Sequence, residues 1–170
     1  MRLLRPLSLL AVLSLVGCTP DVPKEIASIF VEASPGVSPN YKQAATLPVS
    51  GISIVVMKTA LVPAEELLAT DVVTAGEPDL RQEFLLVQVD RKAANDILNY
   101  TKEAVGKRFV LVVNDSAVGL MPIDQQIFDG NLLFHVEQKG MSNKEAAFDL
   151  SRRLNVSILK LRKIKASEGR

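Results

Sequence analysis

The chain begins with a leader of secretory type that ends at its one cysteine, so no disulfide can form within it. Met1-Arg2-Leu3-Leu4-Arg5 is a short basic head, Pro6 to Val16 is almost unbroken apolar sequence, and small Gly17 precedes Cys18. A cationic head, a short greasy core and a small residue at a cut point define a secretory signal peptide, residues 1–17. The apolar core is about 11 residues, against about 20 for a spanning helix, and no later apolar run reaches that length. Cys18 is the only cysteine of 170 residues, so an oxidising compartment supplies no internal crosslink. The 153 residues left after the cut must hold together through an aliphatic core, which Val, Ile and Leu supply.

The Leu15-Val16-Gly17-Cys18 sequence resembles the signal of bacterial lipoproteins. The resemblance implies cleavage after Gly17, diacylglycerol on the Cys18 thiol and an N-acyl chain, such as palmitate, on the new amine. Several acyl chains make anchoring effectively permanent, since each buried methylene contributes about 0.8 kcal/mol. Thr19 and Pro20 follow, so the aspartate that retains such proteins on the inner membrane is absent. The resemblance thus implies a periplasmic location, favouring the outer membrane over the inner. Arg2 and Arg5 leave with the leader, so 20 basic residues become 18 against 19 acidic, a net charge of −1. Nucleic acid is not an expected partner of such a surface.

Residues 18–48 read as the acylated cysteine and a flexible tether. Pro20, Pro23, Pro35, Pro39 and Pro48 interrupt them among Ser34, Gly36, Ser38 and Asn40. Ile26, Ile29 and Phe30 could form one docking helical turn within it. A domain over residues 49–163 follows, then a basic tail, 164–170. Ile52 to Met57 is β-branched and reads as a buried strand. Residues 61–82 read as a loop with a helical turn at Ala64 to Ala69, and Phe84 to Val89 as a second strand. Asp90 caps a helix with apolar Ala93, Ala94, Ile97, Leu98, Ala104 and Val105, closed by Gly106.

Phe109 to Val113 and Ala117 to Met121 flank the Asn114-Asp115-Ser116 turn as a hairpin. Asp129-Gly130-Asn131 turns into a strand, Leu132 to Val136. Ser142 and Glu145 form a capping box for a helix lined by Ala146, Ala147, Leu150 and Leu154. Val156 to Leu161 reads as a last strand. The expected fold is α+β: a ferredoxin-like sandwich with two helices on one face of a mostly antiparallel sheet.

Residues 84–154 resemble the periplasmic head domain of SecD, a protein-export subunit. Val87-Gln88-Val89-Asp90 opens the first helix, and Thr101-Lys102-Glu103-Ala104-Val105-Gly106-Lys107-Arg108 leads into the strand at Phe109. Val118 to Pro122, Ile127-Phe128-Asp129-Gly130 and Glu145-Ala146-Ala147 continue the match. The resemblance implies the head fold and contact with polypeptide. The transmembrane helices that drive SecD have no counterpart here, so a motor role is not implied.

No motif points to catalysis. His135 has no nucleophile or carboxylate beside it in sequence and reads as a surface or hydrogen-bonded histidine. Glu65, Glu66, Asp71, Glu77 and Asp79 read as a solvated acidic loop, and Asp124 and Asp129 fit no calcium loop. Arg152, Arg153, Lys160, Arg162, Lys163, Lys165 and Arg170 make the one charge asymmetry. They read as a solvated strand edge and tail, with anionic lipid headgroups as the alternative. The expected role is non-enzymatic, without cofactor beyond the acyl chains: binding of a protein or polypeptide partner in the periplasm. The alternative is a structural component stabilising an envelope complex or linking membrane and wall. Binding is expected by strand addition at Leu132, Phe134 and Val136, or at Ile158 in the last strand.

Overall fold

Local chemistry fixes the ends of both helices. The Asp90 side chain accepts from the Ala93 N–H at 2.9 Å and starts α1, Arg91–Thr101. Ser142 and Glu145 close their capping box, the Ser142 N–H donating to Glu145 at 2.9 Å and the Glu145 N–H to Ser142 Oγ at 3.3 Å. It opens α2, Asn143–Glu168. The structure is a computed structural model describing residues 22–77, 79 and 81–168. Cys18 and Gly17 lie outside them, and no described helix is long and apolar enough to cross a membrane.

The strands are β1 (Ala27–Val31), β2 (Lys42–Thr46), β3 (Ser53–Met57), β4 (Leu67–Ala75), β5 (Gln82–Val89), β6 (Arg108–Val113), β7 (Ser116–Pro122) and β8 (Asn131–Val136). Six of them form one curled sheet in the order β1-β6-β7-β8-β5-β4, and β2 and β3 form a separate ribbon. Every neighbouring pair is antiparallel. The α+β class and the two helices on one face of the sheet are as the sequence predicts. Within that class, α1 carries the chain from β5 to β6, three places away in the sheet, and the strand order is a β6-β7-β8 meander closed on β5.

One face of the sheet meets the helices. Ile29, Leu85, Val87, Phe109, Leu111, Leu132, Phe134 and Val136 pack there against Ala93 and Ile97 of α1 and Ala147, Leu150, Leu154 and Ile158 of α2. The opposite face meets the ribbon, where Leu47, Ile54 and Val56 bury Val110 and Ala117. Strand β6 lies between both layers, so Phe109, Val110 and Leu111 are all buried.

Three assignments differ from the sequence reading. Residues 27–46, expected inside the tether, belong to the domain. β1 pairs with β6 from Ala27↔Val113 to Val31↔Phe109. Asn114, at the hairpin turn, accepts from the Ile26 N–H at 2.9 Å and donates to the Lys24 carbonyl at 3.1 Å. Residues 67–75, expected as loop, form β4, because β-branched Thr70, Val72, Val73 and Thr74 suit a pleated ladder beside β5. Val156 to Leu161, expected as a last strand, continues α2: buried Leu150, Leu154 and Ile158 recur every four residues.

A candidate polypeptide-binding groove

The expected binding edges are not edges. β8 lies between β7 and β5, and Leu132, Phe134 and Val136 are fully buried in the helix-side core. Ile158 is buried on the inner face of α2. The alternation in Leu132 to Val136 shows that one face is covered, but it carries no information on whether both flanks are paired.

The true edges of the sheet are largely closed. On β4, the Thr70 N–H donates to Asn155 Oδ1 at 2.8 Å, and its carbonyl accepts from Asn155 Nδ2 at 2.7 Å. The next outward N–H, from Val72, is taken by Asp71 Oδ1 at 2.7 Å. On β1, the Ile29 N–H donates to the Val62 carbonyl at 2.9 Å, and the Leu61 N–H returns to the Ile29 carbonyl at 2.9 Å. The outer side of β3 receives the Ala33 N–H at the Val55 carbonyl, 2.8 Å. Side chains and crossing loops thus cover unpaired backbone, as edge protection requires.

β2 is different. Lys58 N–H donates to Tyr41 O and Leu47 N–H to Ile52 O, both at 2.9 Å, so odd-numbered residues face β3. In an antiparallel pair the alternate residues turn their backbone groups the other way. Lys42, Ala44 and Thr46 therefore point outward. The Lys42 N–H is taken by the Pro39 carbonyl. Ala44 and Thr46 have no backbone partner among the described residues, and both are exposed.

This edge borders a groove of about 760 Å³ between the ribbon and the sheet, with Phe30, Ala45, Val112 and Ala117 on its apolar side. The far wall is the start of β7 and the turn after β8. Pairing between β7 and β8 covers only Gly119↔Val136 and Leu120↔His135, which leaves Ser116 and Ala117 beyond the ladder. Gly119 permits that crossing, since a Cβ there would lie 2.8 Å from Val136 Cγ1 and 3.1 Å from the His135 carbonyl.

Glu137 holds the ribbon to this wall. One carboxylate oxygen accepts from the Val49 N–H at 2.9 Å, the Ser50 N–H at 3.0 Å and Ser50 Oγ at 3.1 Å. Burial opposes its ionisation, but the Ser50 and Val49 donors outweigh that and hold its pKa below the ordinary glutamate value. At the other end of the layer, Arg108 grips Glu32 with two hydrogen bonds at 2.8 and 2.9 Å, which lower the Glu32 pKa.

The remaining polar candidates are scattered. His135 is exposed and meets Phe84 edge-on, ring centroids 6.3 Å apart. Glu66, expected in a solvated loop, is buried and paired with Lys92 Nζ at 2.6 Å. Glu65, Glu66 and Asp79 do not line the groove beside β2. No described group of His, Asp and Glu has the arrangement to hold a metal ion.

No protein-family model and no curated protein matches the sequence. Solved structures of SecDF are similar to this chain. One, in the super-membrane-facing form, is 13% identical with a TM-score of 0.47, covering 79% of this chain and 18% of that one. Another, of SecDF as a membrane component that enhances protein export, is 12% identical with a TM-score of 0.45, covering 79% of this chain and 62% of that one. This chain therefore spans less than two thirds of either.

Proposed function

We propose that this chain is a lipid-anchored periplasmic protein whose domain binds an extended polypeptide without catalysis, by adding it as a strand to β2. The observation that carries this reading is the unpaired backbone of Ala44 and Thr46 beside an open groove, whereas the edges at Thr70 and Ile29 are occupied. Strand addition draws affinity from main-chain hydrogen bonds, so a site of this kind needs little side-chain specificity and no cofactor. The Thr101 to Arg108 resemblance supports work beside protein export or envelope assembly. The Leu15 to Cys18 leader supports acylation of Cys18 and an outer-membrane location in preference to the inner.

Proline at Ala44 is the direct test. It removes an N–H that faces only an incoming strand and leaves the odd-numbered pairing to β3 in place. Capture of an unfolded, alkylated polypeptide by Ala44→Pro should fall about five- to thirtyfold, the loss expected from one or two ladder bonds of about 1 kcal/mol each. Unchanged capture would rule out β2. In cells, a photocrosslinker at Thr46 should trap many chains transiently. A single stoichiometric partner would instead support a structural envelope role. Labelled palmitate should enter the wild-type chain and not Cys18→Ala, and its absence from both would remove the anchor.

A further inference from the structure

The outer face of α2 carries a stripe that neither the core nor the groove uses. Phe148, Arg152, Val156, Leu159 and Lys163 follow one another at three- and four-residue steps, on the side away from the sheet. Phe148, Val156 and Leu159 are 55%, 52% and 57% exposed. Arg162 and Lys165 extend the basic character along the final turns. The acids facing this helix are paired, Asp149 with Arg153 and at 3.5 Å with Arg152, Glu25 with Arg153, Glu83 with Lys144 and Glu145 with the Ser142 cap, so the positive excess comes from Arg162, Lys163 and Lys165. The stripe therefore combines exposed apolar side chains with a positive surround.

A second observation says what can reach it. The described chain begins along the flank of α2, where the Glu25 N–H donates to Ser157 Oγ at 3.1 Å and Arg153 grips the Glu25 carboxylate at 2.6 Å. Cys18 precedes Glu25 by seven residues, which span at most about 25 Å fully extended. Because residues 27–46 fold into the domain, the anchor is short rather than a long spacer. An acyl group on Cys18 would keep α2 within one short step of the lipid surface.

We propose that the outer face of α2 rests on an anionic lipid surface, with Phe148, Val156 and Leu159 in the headgroup boundary and Arg152 and Lys163 on the phosphates. Amphipathic helices with basic flanks bind this interface through both terms. The ribbon lies on the opposite face of the sheet, so this docking turns the β2 groove away from the membrane. The inference rests on the acylation of Cys18 proposed above, and the test reads the two separately.

An acylated Cys18 has no free thiol, so Leu159→Cys or Thr46→Cys in the full chain gives a single site for an environment-sensitive fluorophore. On vesicles of phosphatidylglycerol and phosphatidylethanolamine, the label at 159 should shift to the blue and be quenched by aqueous iodide about threefold less than the label at 46. The shielding should be lost on phosphatidylcholine and in Arg152→Glu/Lys163→Glu, a surface change that leaves the fold readable by circular dichroism. An acylated chain whose 159 label is as quenchable as its 46 label overturns the docking alone. Equal shielding on phosphatidylcholine overturns the anionic assignment. Shielding that grows with protein concentration in the absence of vesicles assigns the face to a second copy and overturns it too. The mass of the Cys18 peptide reads the anchor independently, and an unacylated peptide removes the anchor and the docking with it.

Discussion

The two faces of the sheet are covered by different means. On one, two capped helices lay Ala93, Ile97, Leu150, Leu154 and Ile158 over Leu85, Phe109, Leu132 and Phe134, all within one continuous core. On the other, the short β2–β3 ribbon presents Leu47, Ile54 and Val56 to Val110 and Ala117, a far smaller cluster. The ribbon is tied down at its turn by a single carboxylate, Glu137, and at its side by the Ala33 N–H on Val55. A small core held by few polar contacts opens at lower free energy than a large one. The helix face is therefore the foundation of the fold, and the ribbon is an added layer whose outer edge, at Ala44 and Thr46, is exposed.

The largest effect that tests this contrast is Phe134→Ala. The ring is fully buried between the sheet and the helices, so its loss should cost about 3–5 kcal/mol, read by chemical denaturation as one global transition. Ile54→Ala, in the ribbon layer, should cost less, about 2–3 kcal/mol. Its signature is regional: hydrogen exchange should quicken in β2 and β3 while β5 and β8 keep their protection. If protection falls equally in β8, the two layers are one cooperative unit and the contrast fails.

The same contrast explains what could be read from sequence. Asp90, the Ser142–Glu145 box and Asn114-Asp115 announce elements through chemistry within a few residues. Asn114 and Asp115 both take positive φ, 46° and 64°, as a two-residue hairpin turn requires. β1 and β2 give no such signal. Ala27 pairs with Val113, and Pro35, Pro39 and Pro48 fall in the turns between short strands rather than in a tether. The end of α2 was ambiguous for a different reason: Val156 and Ile158 are β-branched at alternate positions, but the four-residue recurrence from Leu150 decides in favour of helix. The place proposed above for strand addition could not be read from sequence. The edge at Ala44 and Thr46 is made of backbone groups, and which backbone is left unpaired depends on the whole topology. Cys18 and Gly17 remain a reading of the leader alone.

The smallest expected effect is a pH response confined to the ribbon. The Glu137 pKa is held below the ordinary glutamate value of 4.5, burial being outweighed by the Ser50 and Val49 donors. A carboxylate with a depressed folded pKa adds stability that is fully present above its unfolded pKa and is lost as pH falls through the folded one. The tie to residues 49 and 50 should therefore hold from neutral pH to near 4.5 and loosen only below it. Amide shifts of Val49 and Ser50, followed by NMR, should titrate together with a midpoint under 4.5, while amides of β8 inside the helix-side core stay still. In Glu137→Gln the neutral amide oxygen still accepts, more weakly, and the titration should vanish. A midpoint above 4.5 would mean that burial prevails over the hydrogen bonds, and a titration that spreads into β8 would mean that the ribbon is not a separate layer.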